Sequence, residues 1–224
     1  MSGKRLYVSL GFDVTNLLSS LLDRGFGSGD TLVLIVPKNR NERNEEAIRK
    51  VELLLSELGS RGHRIDMEVL ELDEHNPLES LKTLIQHIKE WDGEVYLDAV
   101  GGLRVLCVIM TIATLLVPKK DVHLTSVAEN SGRRIDIPRM SLALLVSLTG
   151  AKLDVLKAIR DGCRSIEVLE KVLNKDKSTL SRHLTSLEEM DLIRKIQSRP
   201  AEYRITDVGE VVLLSLVDVK KGKT

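Results

Sequence analysis

Short apolar runs alternate with longer amphipathic segments over the first 138 residues. Runs rich in Val, Ile and Leu at successive positions are typical of strands buried in a parallel sheet, and apolar residues at every third or fourth position predict helices. In chain order, the predicted strands cover residues 4–10, 31–36, 64–70, 94–98, 122–128 and 133–137. The predicted helices between them cover residues 14–23, 43–58, 77–91 and 105–117. This order predicts an α/β fold, with an open, mostly parallel sheet of six strands and helices on both faces.

The pattern changes after Pro138. Residues 140–148 form an apolar helix or linker that ends at Gly150. Beyond it, the pattern predicts helices over 152–160, 165–173 and 177–190, strands over 192–195 and 203–205, and a last helix over 207–219. Three short helices, a β-hairpin and a further helix are the order of a winged helix-turn-helix domain. We therefore expect a domain at 1–138, a linker at 139–150 and a second domain at 151–224.

The strand over 94–98 breaks at Gly101 and Gly102 and opens the apolar helix over 105–117. Such a break brings backbone N–H groups to one point, where the helix dipole adds about half a positive charge. Arg104 adds a planar cation that suits phosphate. An ordinary strand–helix turn explains the paired glycines as well. The stretch is neither a P-loop, because no Gly-Lys-Ser/Thr follows, nor a dinucleotide fingerprint, because the third glycine is missing.

Other candidate residues follow the first and second strands. Gly11 and Phe12 lie at a strand–helix turn in which Asp13 is the expected N-cap, although a plain turn also fits. Since open α/β sheets bind ligands at the carboxyl ends of their strands, we expect these segments to share one site. The predicted ligand-binding residues are Leu10, Gly11, Phe12, Asp13, Pro37, Lys38, Asp98, Val100, Gly101, Gly102, Leu103 and Arg104.

The helix over 177–190 has two different faces. Leu180, Leu184 and Leu187 repeat on one face, and small polar and basic side chains occupy the other. This polar face suits phosphate and base-edge contacts in the major groove, and basic residues of the hairpin suit phosphates or the minor groove. A small helical interaction module with a solvated polar face is the alternative. The predicted DNA-binding residues are Lys177, Ser178, Thr179, Ser181, Arg182, Thr185, Arg194, Lys195, Arg199 and Arg204.

Total charge does not identify a partner, because 33 basic residues offset 33 acidic ones. Residues 150–224 carry 15 Lys and Arg against 12 Asp and Glu, a net charge of +3, and the remainder carries −3. This asymmetry favours nucleic acid as a partner of the second domain. Two cysteines without a CxxC motif and scattered histidines predict no metal site and no cofactor. Without a signal-peptide pattern or an apolar run of about 20 residues, we expect a cytoplasmic protein that does not enter the membrane.

Two helices are too apolar for a free surface. The helix over 105–117 needs one face for the sheet and a cover for the other, which is most simply the same helix of a second subunit. The last helix is apolar enough to dimerise the second domain. A homodimer would read palindromic double-stranded DNA with half-sites one helical turn, or a multiple of it, apart.

The chain resembles the CARF-domain transcription-factor-like proteins of archaeal CRISPR systems. The resemblance covers nearly the whole architecture and rests on Ser9-Leu-Gly-Phe-Asp13 and on Asp98-Ala-Val-Gly-Gly-Leu-Arg104. It implies a Rossmann-like CARF domain followed by a winged helix, in a homodimer that holds a cyclic oligoadenylate, most often the tetra-adenylate, across its two-fold axis. It also implies that the phosphates meet the backbone of residues 101–103 and the Arg104 side chain. Many relatives have Lys or Arg at this last position, whereas Leu103 offers no hydroxyl group.

The expected function is therefore a ligand-gated, DNA-binding regulator of CRISPR-associated genes. The ligand would change the orientation of the subunits, and the linker would pass that change to the recognition helices. Two alternatives remain. One is an enzyme that cleaves its own cyclic oligoadenylate by attack of a ribose 2′-hydroxyl, helped by Arg104 and Lys38; the other is a regulator that senses an ordinary nucleotide metabolite. No Ser-His-Asp or two-carboxylate arrangement stands out that would support a different hydrolase.

Overall fold

The computed structural model describes residues 3–10, 15–118, 121–128, 130–138, 146–196 and 201–217. It divides into two compact units, Met1–Leu142 and Ala143–Thr224. Of the predicted linker, residues 139–145 lie outside the described residues. No helix in the described ranges is both long enough and apolar enough to cross a bilayer.

The first unit alternates strands and helices as the apolar pattern predicts. Its elements are β1 (Arg5–Ser9), α1 (Thr15–Asp23), β2 (Thr31–Pro37), α2 (Glu42–Ser60), β3 (Asp66–Leu72), α3 (Pro77–Lys89), β4 (Val95–Asp98), α4 (Arg104–Leu116), β5 (Val122–Val127) and β6 (Arg134–Ile137). The strand order is β3-β2-β1-β4-β5-β6. Five strands are parallel, and β6 pairs antiparallel with β5. The predicted fold class, a Rossmann-like sheet of six mostly parallel strands, is confirmed.

The sheet separates two apolar cores. Tyr7, Leu97 and Leu124 face α3 and α4 on one side. Leu6 and Val8 face α1 and α2 on the other side. Because β2 and β3 extend from β1 in one direction and β5 and β6 extend from β4 in the other, the chain reverses its winding between β1 and β4. This switch point is where open α/β sheets form a crevice.

Several predicted boundaries differ from the structure by one or two residues, and the differences at β3 and α3 have a structural explanation. Strand β3 begins at Asp66 and ends at Leu72, two residues later than predicted, because pairing with β2 from Thr31 onward fixes its register. Helix α3 ends at Lys89, before Trp91. The Trp91 ring packs against the core, its Nε1–H donates to the Gly3 carbonyl at 3.1 Å, and these contacts hold it beside the sheet.

The second unit has the element order of a winged helix-turn-helix domain. Its elements are α5 (Gly150–Arg160), α6 (Ile166–Leu173), α7 (Lys177–Glu189), β7 (Ile193–Ile196), β8 (Glu202–Ile205) and α8 (Asp207–Val217). The antiparallel hairpin β7–β8 gains a further contact from the turn after α5, since the Tyr203 N–H donates to the Arg164 carbonyl at 2.8 Å. The core contains leucines from every helix of this unit, namely Leu156, Leu169, Leu180, Leu184, Leu187 and Leu213.

Local chemistry explains the ends of α6 and α7. Ser165 is the N-cap of α6, and its side chain accepts a hydrogen bond from the Val168 N–H at 3.4 Å. Asn174 ends α6 in the left-handed conformation, at φ 48°. The apolar spacing of Ile166, Leu169 and Val172 predicts that all three face inward, but this prediction is wrong for Val172, which is 58% exposed. Leu169 is the buried position of this short helix, and Leu173, four residues on, continues its face.

Candidate ligand cradle and nucleic-acid interface

The carboxyl ends of β1 and β4 adjoin in the middle of the sheet. Val8 pairs with Asp98 at the end of their parallel ladder. The chain then continues from β1 into Leu10, whose N–H donates to the Ile35 carbonyl of β2 at 3.0 Å. From β4 it enters residues 99–104, which we call the cradle loop. Leu10 and the cradle loop therefore share one edge of the sheet.

The cradle loop is fixed at both ends. At its start, the Ala99 N–H donates to the Thr125 carbonyl at 3.0 Å, and the Ser126 hydroxyl donates to the Ala99 carbonyl at 3.2 Å. Farther on, the Gly101 carbonyl accepts hydrogen bonds from the Ser9 hydroxyl and from the Cys107 thiol. The loop is thus tied to β5 on one side and to β1 and α4 on the other.

Gly102 lies close to the backbone of β1. Its φ is +77°, and a Cβ atom at this position would lie 2.7 Å from the Leu10 carbonyl oxygen. Only glycine accommodates both the positive φ and the approach to β1. The positive φ of Gly102 and its close approach to β1 therefore both require glycine at this position.

The amino end of α4 is exposed at this edge. Helix α4 begins at Arg104, its N-cap Leu103 has no polar side chain, and its first turn contains no Asp or Glu. Gly102, Leu103 and Arg104 are all exposed. The first N–H groups of a helix carry partial positive charge, and the Arg104 guanidinium adds a full one. This end of α4 can hold an anion.

The structure places Asp98 below the loop and not at its surface. Its carboxylate is 2% exposed, and the Arg24 guanidinium binds it through two nitrogens at 2.7 and 2.9 Å. The hydroxyls of Ser20 and Thr125 donate to the same carboxylate. Sequence reasoning missed Ser20, Arg24 and Thr125, and no spacing signal marks them, because Arg24 precedes Asp98 by 74 residues.

The remaining predicted ligand residues fall into two groups. Pro37 is the buried last residue of β2, and the exposed Lys38 follows it, with its N–H donating to the Leu72 carbonyl at 2.9 Å. The structure therefore brings Leu10, Pro37, Lys38, Val100, Gly101, Gly102, Leu103 and Arg104 to one edge of the sheet. Gly11, Phe12 and Asp13 lie outside the described residues.

Helix α7 presents the predicted polar face to solvent. Leu180, Leu184 and Leu187 are at most 1% exposed. The opposite face carries the exposed side chains of Lys177, Ser178, Ser181, Arg182 and Thr185, with the half-buried Thr179 beside them. Thr179 Oγ1 accepts a hydrogen bond from Arg182 Nη2 at 3.4 Å. That these residues contact DNA stays a prediction.

Two titratable side chains at α7, Asp176 and His183, have shifted pKa values. Asp176 caps the helix, and the Ser178 hydroxyl at 2.6 Å, together with the Thr179 N–H, holds the pKa of this carboxyl well below its ordinary value. Burial lowers the pKa of His183, and the cations of Lys175, Lys152 and Arg182 lower it further. Three cations therefore lie near the His183 side of α7.

The hairpin carries two arginines in directly opposed positions. Arg194 pairs with Arg204 across β7 and β8, and both side chains are exposed on the same face. They line a groove that also includes Thr206 and Asp207 at the start of α8. Like charges directly opposite each other destabilise a hairpin, so this pair suits an anionic partner. Lys195 is exposed beside them, and Arg199 lies outside the described residues.

Within the described residues we identify no metal site. No group of three or more His, Cys, Asp or Glu within them is placed to hold a metal ion. Cys107 and Cys163 are both half-buried free thiols.

Replacing Gly102 with Ala tests the contact with β1. We expect Gly102→Ala to destabilise the first unit by about 1–3 kcal/mol, because the new Cβ needs both a strained φ and movement of the Leu10 carbonyl. Gly132→Ala is the matched control, since Gly132 has φ +65° but no atom within 4 Å of the added Cβ. Urea unfolding followed by the fluorescence of Trp91, the single tryptophan, measures both variants. Equal losses of stability would contradict a steric role for Gly102.

Comparison with known proteins identifies the first unit. Residues 4–138 match the family model described as Csa3 CRISPR-associated Rossmann-like domain. Residues 149–195 match the model described as bacterial regulatory protein, arsR family, a helix-turn-helix model. A search of curated protein sequences gave no match.

Two solved structures are similar at low identity. The crystal structure of protein VC1899 from Vibrio cholerae is 14% identical with a TM-score of 0.43, and the match covers 96% of this chain and 66% of that one. A structure of Drosophila ORC bound to AT-rich DNA and Cdc6 is 11% identical with a TM-score of 0.27, and the match covers 98% of this chain and 87% of that one. Both TM-scores are below 0.5, so the assignment rests on the family models. The chain belongs to the family of the Csa3 CRISPR-associated Rossmann-like domain, here joined to a helix-turn-helix domain.

Proposed function

We propose that this protein is a homodimeric regulator of CRISPR-associated genes that binds operator DNA through its second unit and is gated by a cyclic oligoadenylate bound at its first. The observation that carries the proposal is the exposed amino end of α4, with Arg104, at the β1–β4 switch point. A cyclic oligoadenylate presents several phosphates on one ring, and the resemblance to CARF proteins favours the tetra-adenylate.

Phosphate suits the cradle loop for three reasons. The first N–H groups of α4 carry partial positive charge, and Arg104 can donate two parallel hydrogen bonds to a phosphate. Gly102 and Leu103 are exposed, so a ligand reaches their backbone without displacing a large side chain. Lys38, on the other side of β1, adds a second exposed cation at the same edge.

A dimer would cover an apolar surface that begins beside the cradle. Val108, Ile112 and Leu116 lie four residues apart on the outward face of α4 and are 55%, 40% and 37% exposed. Ile135 and Ile137 of β6 are also exposed, and the pairing of Ile137 with Leu124 puts them on the same face of the sheet as α4. Two copies of α4 packed side by side in parallel would bring both cradles to one edge, where a single cyclic ligand could touch both.

The second unit supplies the DNA contacts. Helix α7 would enter the major groove with its polar face, and Arg194 and Arg204 of the hairpin would contact phosphates or the minor groove. Val211, Leu214 and Leu216 of α8 are exposed apolar residues that would dimerise this unit. A two-fold dimer matches a palindromic operator.

Calorimetric titration with cyclic tetra-adenylate tests the ligand. We expect saturation at one ligand per dimer, and we expect Arg104→Ala to weaken binding at least about tenfold through loss of charged hydrogen bonds. Arg61→Ala is the control, because Arg61 is an exposed arginine that pairs with Glu57 beyond the end of α2. An unchanged affinity in Arg104→Ala would mean that the cradle is misplaced.

Two further measurements separate the alternatives. If the wild-type protein binds only linear or ordinary nucleotides in a binding panel, the cyclic oligoadenylate is excluded. If chromatography shows that bound cyclic tetra-adenylate is cut, the protein is also a ring nuclease.

DNA affinity that is equal with and without ligand would contradict the gating.

Ile112→Glu tests the dimer surface. A buried carboxylate opposite its symmetry mate strongly disfavours association, so we expect the variant to sediment as a monomer, or as a dimer held by α8 alone with a weaker association constant. Leu53→Glu is the control, because Leu53 is 72% exposed on α2. An unchanged sedimentation profile would exclude the α4 surface.

Arg182→Ala tests the reading helix. With a DNA fragment selected by the protein from a random-sequence library, we expect a loss of about 1–3 kcal/mol if Arg182 makes a bidentate base contact. Arg160→Ala is the control, since Arg160 is an exposed arginine paired with Asp161 at the end of α5. Equal affinities of the two variants would show that α7 does not read the operator.

A further inference from the structure

Asp98 presents an electrostatic problem for the cradle. Its carboxylate ends β4, and the loop that begins at the next residue is the one proposed to hold phosphate. An unpaired carboxylate in the low dielectric below this loop would repel an anion at close range. The site therefore needs a group that cancels this charge.

Arg24 neutralises the charge of Asp98, and both oxygens of this carboxylate are fully hydrogen-bonded. Arg24 Nη2 lies 2.7 Å from Asp98 Oδ1, and Arg24 Nη1 lies 2.9 Å from Asp98 Oδ2. The Thr125 hydroxyl donates to Oδ1 and the Ser20 hydroxyl donates to Oδ2, so each oxygen has two donors. The Arg24 side chain is 10% exposed, and its guanidinium lies over the Tyr96 ring at 5.0 Å.

The cluster joins the elements that carry the cradle. Ser20 belongs to α1, Arg24 follows α1, Asp98 ends β4 and Thr125 lies in β5. The backbone of Thr125 also accepts from Ala99, the first residue of the cradle loop. Hydrogen bonds therefore connect Arg24 to the start of the loop through Asp98 and Thr125.

Stability alone is a weak reason for such a pair. A buried ion pair is often no more stable than apolar side chains of the same volume, because both charges must be desolvated. Leu6 and Val8, which face the same side of the sheet, show that apolar packing is available here. Breaking the pair from one side, in contrast, leaves a buried charge without a partner.

We propose that Arg24 is a positioning residue of the ligand site, which neutralises Asp98 and thereby fixes the start of the cradle loop in an anion-accepting state. The inference rests on the proposed function of the cradle loop as a phosphate site. Arg24 acts through Asp98 and touches no ligand. Asp98 accordingly serves the site from below and makes no contact with phosphate.

Three variants of the full-length protein test this role. Arg24→Met keeps the length of the side chain and leaves Asp98 unpaired. Arg24→Met/Asp98→Asn removes the uncompensated charge and keeps an amide that can bond the Ser20 and Thr125 hydroxyls. Arg134→Met is the matched control, because Arg134 also makes an ion pair with α1, at 2.7 Å from Asp23, but has no bond to Asp98.

The first measurement needs no ligand. Hydrogen exchange of the free protein follows the hydrogen-bonded amides of Ala99, Leu106 and Cys107, and we expect Arg24→Met to speed their exchange at least about tenfold while α2 is unchanged. The double variant should return to within about threefold of wild type, which a loss of packing alone would not allow. Arg134→Met should match wild type. Unchanged loop exchange in Arg24→Met, or no recovery in the double variant, would overturn the proposal.

The second measurement is the affinity for cyclic tetra-adenylate. We expect Arg24→Met to weaken it at least about tenfold and the double variant to regain most of that loss, because repulsion by Asp98 is gone. If the wild-type protein does not bind this ligand, the proposed function fails, and the exchange experiment still decides the role of Arg24.

If Arg24→Met does not fold, Arg24→Lys replaces it. The lysine keeps the charge but not the two-nitrogen geometry, and we expect its loop exchange and ligand affinity to be intermediate.

Discussion

The parallel pairing of β1 with β4 is the constraint on which the site depends. It places the last residues of two strands, separated by about ninety positions in the chain, at one edge of the sheet. Gly102 can then approach the Leu10 carbonyl, and the Gly101 carbonyl can accept from Ser9 and Cys107. If β1 and β4 were not neighbours, neither the turn at Gly102 nor the exposed start of α4 would have this position.

Local charge matters more than total charge in this chain. The formal net charge is zero, yet the two candidate binding surfaces are both basic. At the cradle, the cation Arg104 is exposed, while Arg24 is buried against Asp98 and contributes no net charge. In the second unit, burial lowers the pKa of His183, and the nearby cations of Lys175, Lys152 and Arg182 lower it further. The first and second units therefore carry separate basic surfaces, each built from few residues.

Each unit also carries a surface of exposed apolar residues. On α4 they recur at every fourth residue, directly behind the cradle, whereas on α8 they lie in the DNA-binding unit. Surfaces of this kind are uncommon on proteins that stay monomeric, and covering them favours assembly. A dimer that uses both would link the geometry of the ligand site to the spacing of the two recognition helices, which is the physical basis for gating in the proposed function.

The sequence by itself determined the elements, the fold class and most of the exposed candidate residues. Apolar periodicity reports which face of a segment is buried, so the strands, the two faces of α7 and the glycine turn before Arg104 could be predicted from neighbouring residues. The same reasoning erred where a local pattern was ambiguous, as at the start of β3, where pairing with β2 sets the register, and at Val172, where Leu173 continues the buried face instead.

Only the tertiary structure decided what Asp98 does. Its position next to the glycines predicts a place in the ligand site, but its partners Ser20, Arg24 and Thr125 come from distant positions in the chain. Local periodicity holds no information on such partners, because the register of strands and the packing of α1 determine which distant side chains meet. The sequence thus determined which groups are available at the sheet edge, and the tertiary structure decided which of them are exposed to a ligand and which are already paired.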